Sequence, residues 1–314
     1  MKIGLGVSGS NGITFEQWRK TIATAERLGF ATLVVSDHFV VGEPEDSLEP
    51  YLLCAIAARE SSTIRFGPLV SPITFRSPWN VARFAAQLDI LSGERFVLGL
   101  GVGWNAAEHT AFGVPYPSLR ERYDRLEEQI EVIKRMWAPG AASYKGRYYK
   151  LEKALSLPKP AAGRPPIMIG GLGEKRTLRV VAKYADEWNS GNMDAPSFRK
   201  KLAVLKRHCE AEDRDPATIY KSVFHVALIG RTQADLDEAT PRMKAKWAPD
   251  LEISVRDYQQ RLRDGGQIVG LADEVVEQLG ELADAGVDEV IFSYYDLDSD
   301  AVPEFLASDV VPKL

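Results

Sequence analysis

Three short stretches set reactive or ligand-binding residue types beside glycine or at the end of an apolar run. The first is Ser36-Asp37-His38-Phe39, directly after "ATLVVS". Of four histidines in the chain, His38 is the best placed for proton chemistry, because imidazole changes charge near neutral pH. A histidine satisfied by neighbouring backbone is the other reading. Ser36, Asp37 and His38 are consecutive, so they cannot form a nucleophile triad among themselves. The second stretch, Gly101-Val102-Gly103-Trp104-Asn105-Ala106, fits the spacing of a dinucleotide fingerprint. Its context does not, since no helix opens directly after it and Pro115 and Pro117 interrupt first. Bare backbone there suits a flat ring better. The third stretch, Gly170-Gly171-Leu172-Gly173, runs from "PPIMI" into a helical segment that opens with Lys175 and Arg176. Glycines admit a ligand close to the backbone, and a helix start presents free N–H groups. A phosphate group fits such a place; so does a tight turn with an exposed basic face.

Other chemistries are disfavoured. Glu108 and His109 are adjacent, but no H-E-x-x-H or H-x-H pattern exists, so no metal site is expected. His208 and His225 fall within a predicted helix and strand and read as structural. Cys54 and Cys209 have neither metal-ligand nor redox spacing, which makes a reducing cytoplasm the default. The net charge of −5 argues against nucleic acid as a partner. "MKIGLGVSGSNG" is too short and glycine-rich for a secretory leader, and no apolar run approaches membrane-spanning length. A small-molecule substrate is the expected partner.

The elements that must position these residues alternate along the chain. Strands are predicted at "KIGLGV", "ATLVVS", "IRFGPLV", "RFVLGLG", "IMIG", a short "EWN", "SVFHVALIG" and "EVIFSY". Thr14 and Gln17 make a capping box for the first helix, whose apolar face reads Phe15, Trp18, Ile22 and Ala25. Ser118 and Glu121 cap the clearest helix, with Leu119, Tyr123, Leu126, Ile130, Ile133 and Trp137 on one face. Eight strands, apolar on both faces, predict an α/β fold: a single (β/α)8 TIM barrel over residues 1–314. An open doubly wound sheet is the alternative. In a barrel the strand C-termini form the active-site mouth, and all three stretches lie there. Residues 139–166 lack helical period and are rich in proline and glycine. They read as an insertion loop over the barrel mouth, or as a surface wrap without a role.

Five motifs in series resemble the luciferase-like monooxygenase superfamily, especially its deazaflavin-dependent oxidoreductase branch. They are "SDHF" from Ser36, "GPLVSPITFRSP" from Gly67, "GLGVGWNAAEHTAFG" from Gly99, "PPIMIGGLGEKRTLRVVAKYADEWN" from Pro165 and "GLADEVVEQLGELADAGVDEVIF" from Gly270. The resemblance covers nearly the whole chain and implies the same barrel. It implies a flavin-type ring at the mouth, with its phosphate held by Gly170, Gly171, Leu172, Gly173 and Glu174. Lys175, with Arg176 and Arg179, would suit the acidic tail of the deazaflavin coenzyme F-420. His38 would lie beside the ring and move a proton, Asp37 would add backbone or carboxylate contacts, and Trp104 would wall the substrate side. A non-proline cis peptide, matching Leu69–Val70 within one position, would form a bulge with Ser71 behind the ring; Val102 and Gly103 would line it.

Two departures narrow the activity. Luciferases carry an arginine where this chain has Val102, and the sugar-phosphate dehydrogenases of the branch carry an acidic residue where it has Trp104. Neither light emission nor sugar-phosphate oxidation is therefore expected. The resemblance implies hydride transfer between coenzyme F-420 and a small organic substrate. Reduced-FMN-dependent monooxygenation is the alternative, and a non-catalytic flavin- or deazaflavin-binding protein is the alternative from another class. A cofactor-free phosphosugar isomerase would need Asp37 or Glu108 as its base. Apolar helix faces are compatible with a homodimer.

Overall fold

The apolar runs fold as short strands buried on both faces, as expected for parallel strands covered by helices. The structure is a computed structural model that describes residues 1–314 apart from 11, 43–44, 162–163 and 294. Its first half comprises β1 (Lys2–Val7), α1 (Phe15–Leu28), β2 (Thr32–Val35), α2 (Pro50–Glu60), β3 (Arg65–Pro68), β4 (Ser71–Pro72), α3 (Pro78–Ser92) and β5 (Leu98–Gly101). There follow α4 (Ala106–Ala111), α5 (Leu119–Trp137), β6 (Ala142–Lys145), β7 (Lys150–Ala154), β8 (Ile167–Gly170), α6 (Thr177–Tyr184) and β9 (Glu187–Ser190). The remainder is α7 (Ala195–Ala211), β10 (Tyr220–His225), β11 (Leu228–Ile229), α8 (Gln233–Trp247), α9 (Val255–Asp264), β12 (Val269–Gly270), α10 (Ala272–Asp284), β13 (Glu289–Ser293) and α11 (Ala301–Phe305).

The main sheet runs β3-β2-β1-β13-β10-β9-β8-β5-β4, with every neighbouring pair parallel. Its two ends, β3 and β4, are successive pieces of one strand, and a parallel bridge from Phe66 in β3 to Phe96, just before β5, closes the seam. The sheet thus closes as the expected (β/α)8 barrel. Tyr294, the last residue of the expected eighth strand, lies outside the described residues.

The break between β3 and β4 is a cis peptide at Leu69–Val70. Here the Val70 side chain fills the space that neighbouring glycines leave. A Cβ on Gly101 would lie 2.6 Å from a Val70 methyl, and one on Gly170 would lie 2.9 Å away. Gly99 is tighter still, since its Cβ would meet the Pro68 carbonyl oxygen at 1.9 Å.

The capping box of Thr14 and Gln17 is present, and Trp18 is buried with its indole N–H donating to the Leu53 carbonyl at 2.8 Å. Phe15 departs from the expected inner face: it is 47% exposed at the first turn, where the helix has not yet reached the barrel. Leu119 at the start of α5 is exposed for the same reason, while Tyr123, Leu126, Ile130, Ile133 and Trp137 are buried.

Two expectations need correction. Within residues 139–166, β6 and β7 pair as an antiparallel hairpin on the outer wall. The Glu128 carboxylate on α5 accepts the N–H groups of Arg147 (2.8 Å), Tyr148 (3.0 Å) and Tyr149 (3.2 Å), which fixes the hairpin tip to the helix. No described residue of this segment lines the cavity at the mouth, so it wraps the barrel rather than covering it. The run "SVFHVALIG" is likewise not one strand. Val226 N–H donates to Asn192 Oδ1 at 2.7 Å, and β11 leaves the barrel to pair with β12. Leu228, Leu236, Tyr258, Leu262 and Val269 then form a separate small core with α8 and α9.

At the opposite end the barrel base is polar. Arg65 pairs with Glu187, the Tyr220 hydroxyl donates to Glu289 at 3.2 Å, and Lys2 and Arg65 lie against the Tyr220 ring. Burial pushes the carboxyl groups of Glu187 and Glu289 above their ordinary range. An acid whose pKa is raised on folding gives its full stabilisation below the unfolded value, here about 4.5, and loses it as pH rises through the folded value. Glu289→Gln should therefore raise stability at pH 7 by about 1–2 kcal/mol, with the gain fading at pH 4; thermal unfolding at both pH values checks this, and an equal loss at both would contradict it. Gly101→Ala should cost about 1–3 kcal/mol by overpacking against Val70, and Val70→Ala in the same chain should recover part of it in urea unfolding.

Candidate active site

The C-terminal ends of β2, β3, β5, β8 and β9 surround a cavity of about 280 Å3. Eight of the expected residues line it: His38, Leu69, Val70, Val102, Gly103, Trp104, Gly170 and Gly171. Asn189, which the sequence did not single out, completes the wall; its amide donates to Ser222 Oγ at 2.9 Å and its carbonyl accepts the Gly171 N–H at 3.0 Å.

His38 is held by a carboxylate. Its Nδ1 lies 2.9 Å from Glu108 Oε1, and the other Glu108 oxygen accepts the Phe39 N–H at 3.1 Å. Glu108 is 3% exposed. Asn105 caps α4 by accepting the N–H groups of Ala107 and Glu108, and this seats the carboxylate under the imidazole. With Nδ1 engaged by Glu108, Nε2 is the nitrogen left for exchange with a ligand. Trp104 packs edge-on against the His38 ring at 5.4 Å and is 67% exposed. The sequence offered Glu108 only as a possible isomerase base; its capping position after Asn105 was the signal for the orienting role. His109 next to it is structural, with Nε2 2.7 Å from Thr74 Oγ1 and Nδ1 2.6 Å from the Asn105 carbonyl.

Asp37 and Ser71 do not line the cavity, contrary to expectation. The Asp37 carboxylate turns behind the bulge and accepts from Ser71 Oγ (2.6 Å) and Arg76 (2.5 Å). Arg76 also pairs with Glu49, and the Tyr51 hydroxyl reaches Ser71 at 3.2 Å. Burial raises the Asp37 carboxyl above its ordinary range, with Arg76 and Ser71 opposing the shift. This network braces the bulge from outside the cavity.

The turn after β8 is also only partly as expected. Leu172, Gly173, Glu174 and Lys175 are exposed just beyond the cavity wall. Gly173 answers to its neighbours: a Cβ there would lie 2.7 Å from Thr177 Oγ1, which itself bonds the Tyr123 hydroxyl at 2.6 Å. Arg176 pairs with Asp124 and Glu127, and Arg179 with Glu127, so neither is a free cation. Glu174 pairs with Lys201. Among the described residues the backbone N–H groups of Gly173, Glu174 and Lys175 donate to no other group, and the Lys175 ammonium has no partner. Arg122, unremarked in the sequence, holds the facing loop by donating to the carbonyls of Val102 and Gly103.

The family profile described as luciferase-like monooxygenase matches residues 2–289. An F420-dependent glucose-6-phosphate dehydrogenase of Amycolatopsis mediterranei is 28% identical over 316 residues, covering 92% of each chain. An F420-dependent hydroxymycolic acid dehydrogenase of Mycobacterium tuberculosis is 32% identical over 213 residues, 67% of this chain and 58% of that protein. A solved F420-dependent secondary alcohol dehydrogenase in complex with an F420–acetone adduct has the same fold, with a TM-score of 0.83 at 18% identity over 99% of this chain and 98% of that one. With the profile spanning most of its length, this chain belongs to the luciferase-like monooxygenase family.

Proposed function

We propose that the chain is an oxidoreductase that moves a hydride between the deazaflavin coenzyme F420 and a small organic substrate. The observation that carries this is the His38–Glu108 pair at the edge of a cavity walled by backbone. The cavity fits a flat ring: Gly101, Gly103, Gly170 and Gly171 bring no side chain to it, and a Cβ on Gly103 or Gly171 would already crowd Pro72 or Thr177. The open N–H groups of Gly173, Glu174 and Lys175, with the Lys175 ammonium, would hold the coenzyme's phosphate. When bound, the deazaflavin supplies the hydride acceptor or donor.

The protein's part is orientation and proton handling. His38 Nε2 takes the hydroxyl proton when a carbinol is oxidised and returns it when a carbonyl is reduced. Glu108 fixes the tautomer and stabilises the imidazolium that forms. Trp104 shields the imidazole from water. The named deazaflavin-dependent relatives support this reading. The family profile itself favours a second one, reduced-FMN monooxygenation in the same cavity. The two buried free cysteines fit a cytoplasmic protein, and no described helix is long and apolar enough to cross a membrane. Exposed Phe84 and Leu91, seven residues apart on α3, would be available to the expected homodimer.

Titrating the protein separately with F420 and FMN, followed by fluorescence, tests the cofactor. F420 should bind with saturation; saturable FMN binding with no response to F420 would reverse the reading. His38→Ala should keep F420 binding while losing turnover of small alcohols or ketones by about 10²–10⁴-fold. Glu108→Gln should lose about 10–100-fold with binding retained, and a His38→Ala protein as active as the parent would remove the proton role.

A further inference from the structure

Beyond His38 the cavity continues into two chambers, of which the inner one is more apolar than the cofactor wall. The inner one, about 250 Å3, shares His38, Leu69 and Trp104 with the ring cavity and adds Val7, Val34, Val41 and Phe224. Apart from His38, its lining contains no ionisable residue other than Tyr295, whose hydroxyl burial pushes further from ionisation. Gly6 shapes its floor, since a Cβ there would lie 2.6 Å from the Phe224 ring. The outer chamber, about 470 Å3, is continuous with it through Trp247, Ser293 and Tyr295. Leu228, Ile229, Met243 and Phe292 line this part. Arg242, Lys246 and Asp296 also line it: Arg242 pairs with Glu238, and the Lys246 ammonium sits 4.7 Å from the Tyr295 ring centre. Trp247, half exposed at the end of α8, stands edge-on to Tyr295 at 5.7 Å and roofs the passage.

From this lining we infer that the substrate is a neutral molecule with an extended apolar body, its reactive end at His38 and its tail under Trp247. The substrate role rests on the oxidoreductase reading above; the ligand class rests on the chambers alone. The inner chamber has no lysine or arginine in its lining to meet a phosphate or carboxylate, and burying such a group there carries a cost that an alkyl or aromatic body avoids. The same body gains by leaving water, in proportion to the area it buries. Trp247 and Met243, which line the outer chamber, would limit the length that is accepted.

Titration calorimetry with straight-chain 2-ketones from butanone to decanone, with and without F420, tests the inference. Affinity should rise about fourfold per added methylene until the chambers are full, and glucose 6-phosphate should show no binding. Met243→Trp should end the rise at a shorter chain, and Trp247→Ala should flatten it for the longer ketones; melting temperatures show that each variant is folded. A dissociation constant that does not respond to chain length, or tighter binding of glucose 6-phosphate than of any ketone, would overturn the proposal. If F420 fails to bind while the ketone series keeps its slope, the cofactor reading falls and the ligand class stands. If F420 binds and the slope is flat, the chamber proposal falls alone.

Discussion

The site depends on where one side chain goes. The backbone turns at Leu69–Val70, and Val70 drives into the seam between β5 and β8. Gly101 and Gly170 have no room for a Cβ because Val70 occupies it, and close packing forbids both at once. At Gly101 and Gly170 the wall of the cavity is therefore bare peptide backbone. Behind the bulge, Ser71, Asp37, Arg76 and Glu49 form a hydrogen-bonded and ionic chain that runs from the buried Asp37 to the surface and braces the kink. Residues outside the cavity lining thus shape its wall.

Charge is divided between the two ends of the barrel. At the base, Arg65, Glu187, Tyr220 and Glu289 are locked together near the strand starts, where packing matters and chemistry does not occur. At the mouth His38 lines the cavity and is backed by the buried Glu108, each set by a short loop and a capped helix start. The base tolerates carboxylates whose ionisation is suppressed by burial, while the mouth keeps its carboxylate hydrogen-bonded to a group that can carry a proton. The same barrel thereby separates what holds it together from what it exposes to a ligand.

The fold was legible because it is written in local patterns: two-faced apolar strands, capping boxes and glycine stops repeat along the chain. His38 and Trp104 were found by their position after a strand, and the structure brings them together. What stayed hidden was long-range. Glu108 lies 70 residues from His38, and only the barrel's closure makes them neighbours. Asp37 is adjacent to His38 in the chain, yet alternation along an extended backbone sends its side chain to the opposite face, toward Arg76. The Gly170–Gly173 run read as a phosphate loop, but Gly170 and Gly173 are required first by Val70 and by Thr177, partners that no spacing rule reveals. The hairpin of β6 and β7 escaped notice because what orders it is a glutamate on a helix, about 20 residues upstream.

The excursion of β11 away from the barrel has a further consequence. It gives α8 and α9 a hydrophobic centre of their own, built on Leu228, Leu236, Tyr258, Leu262 and Val269, separate from the main core. Trp247 stands at the end of α8, on this annexe rather than on a stave. Mutational drift there can reshape what the enzyme admits without disturbing the stave registry on which its catalytic geometry relies, so selectivity and architecture are free to evolve on different clocks.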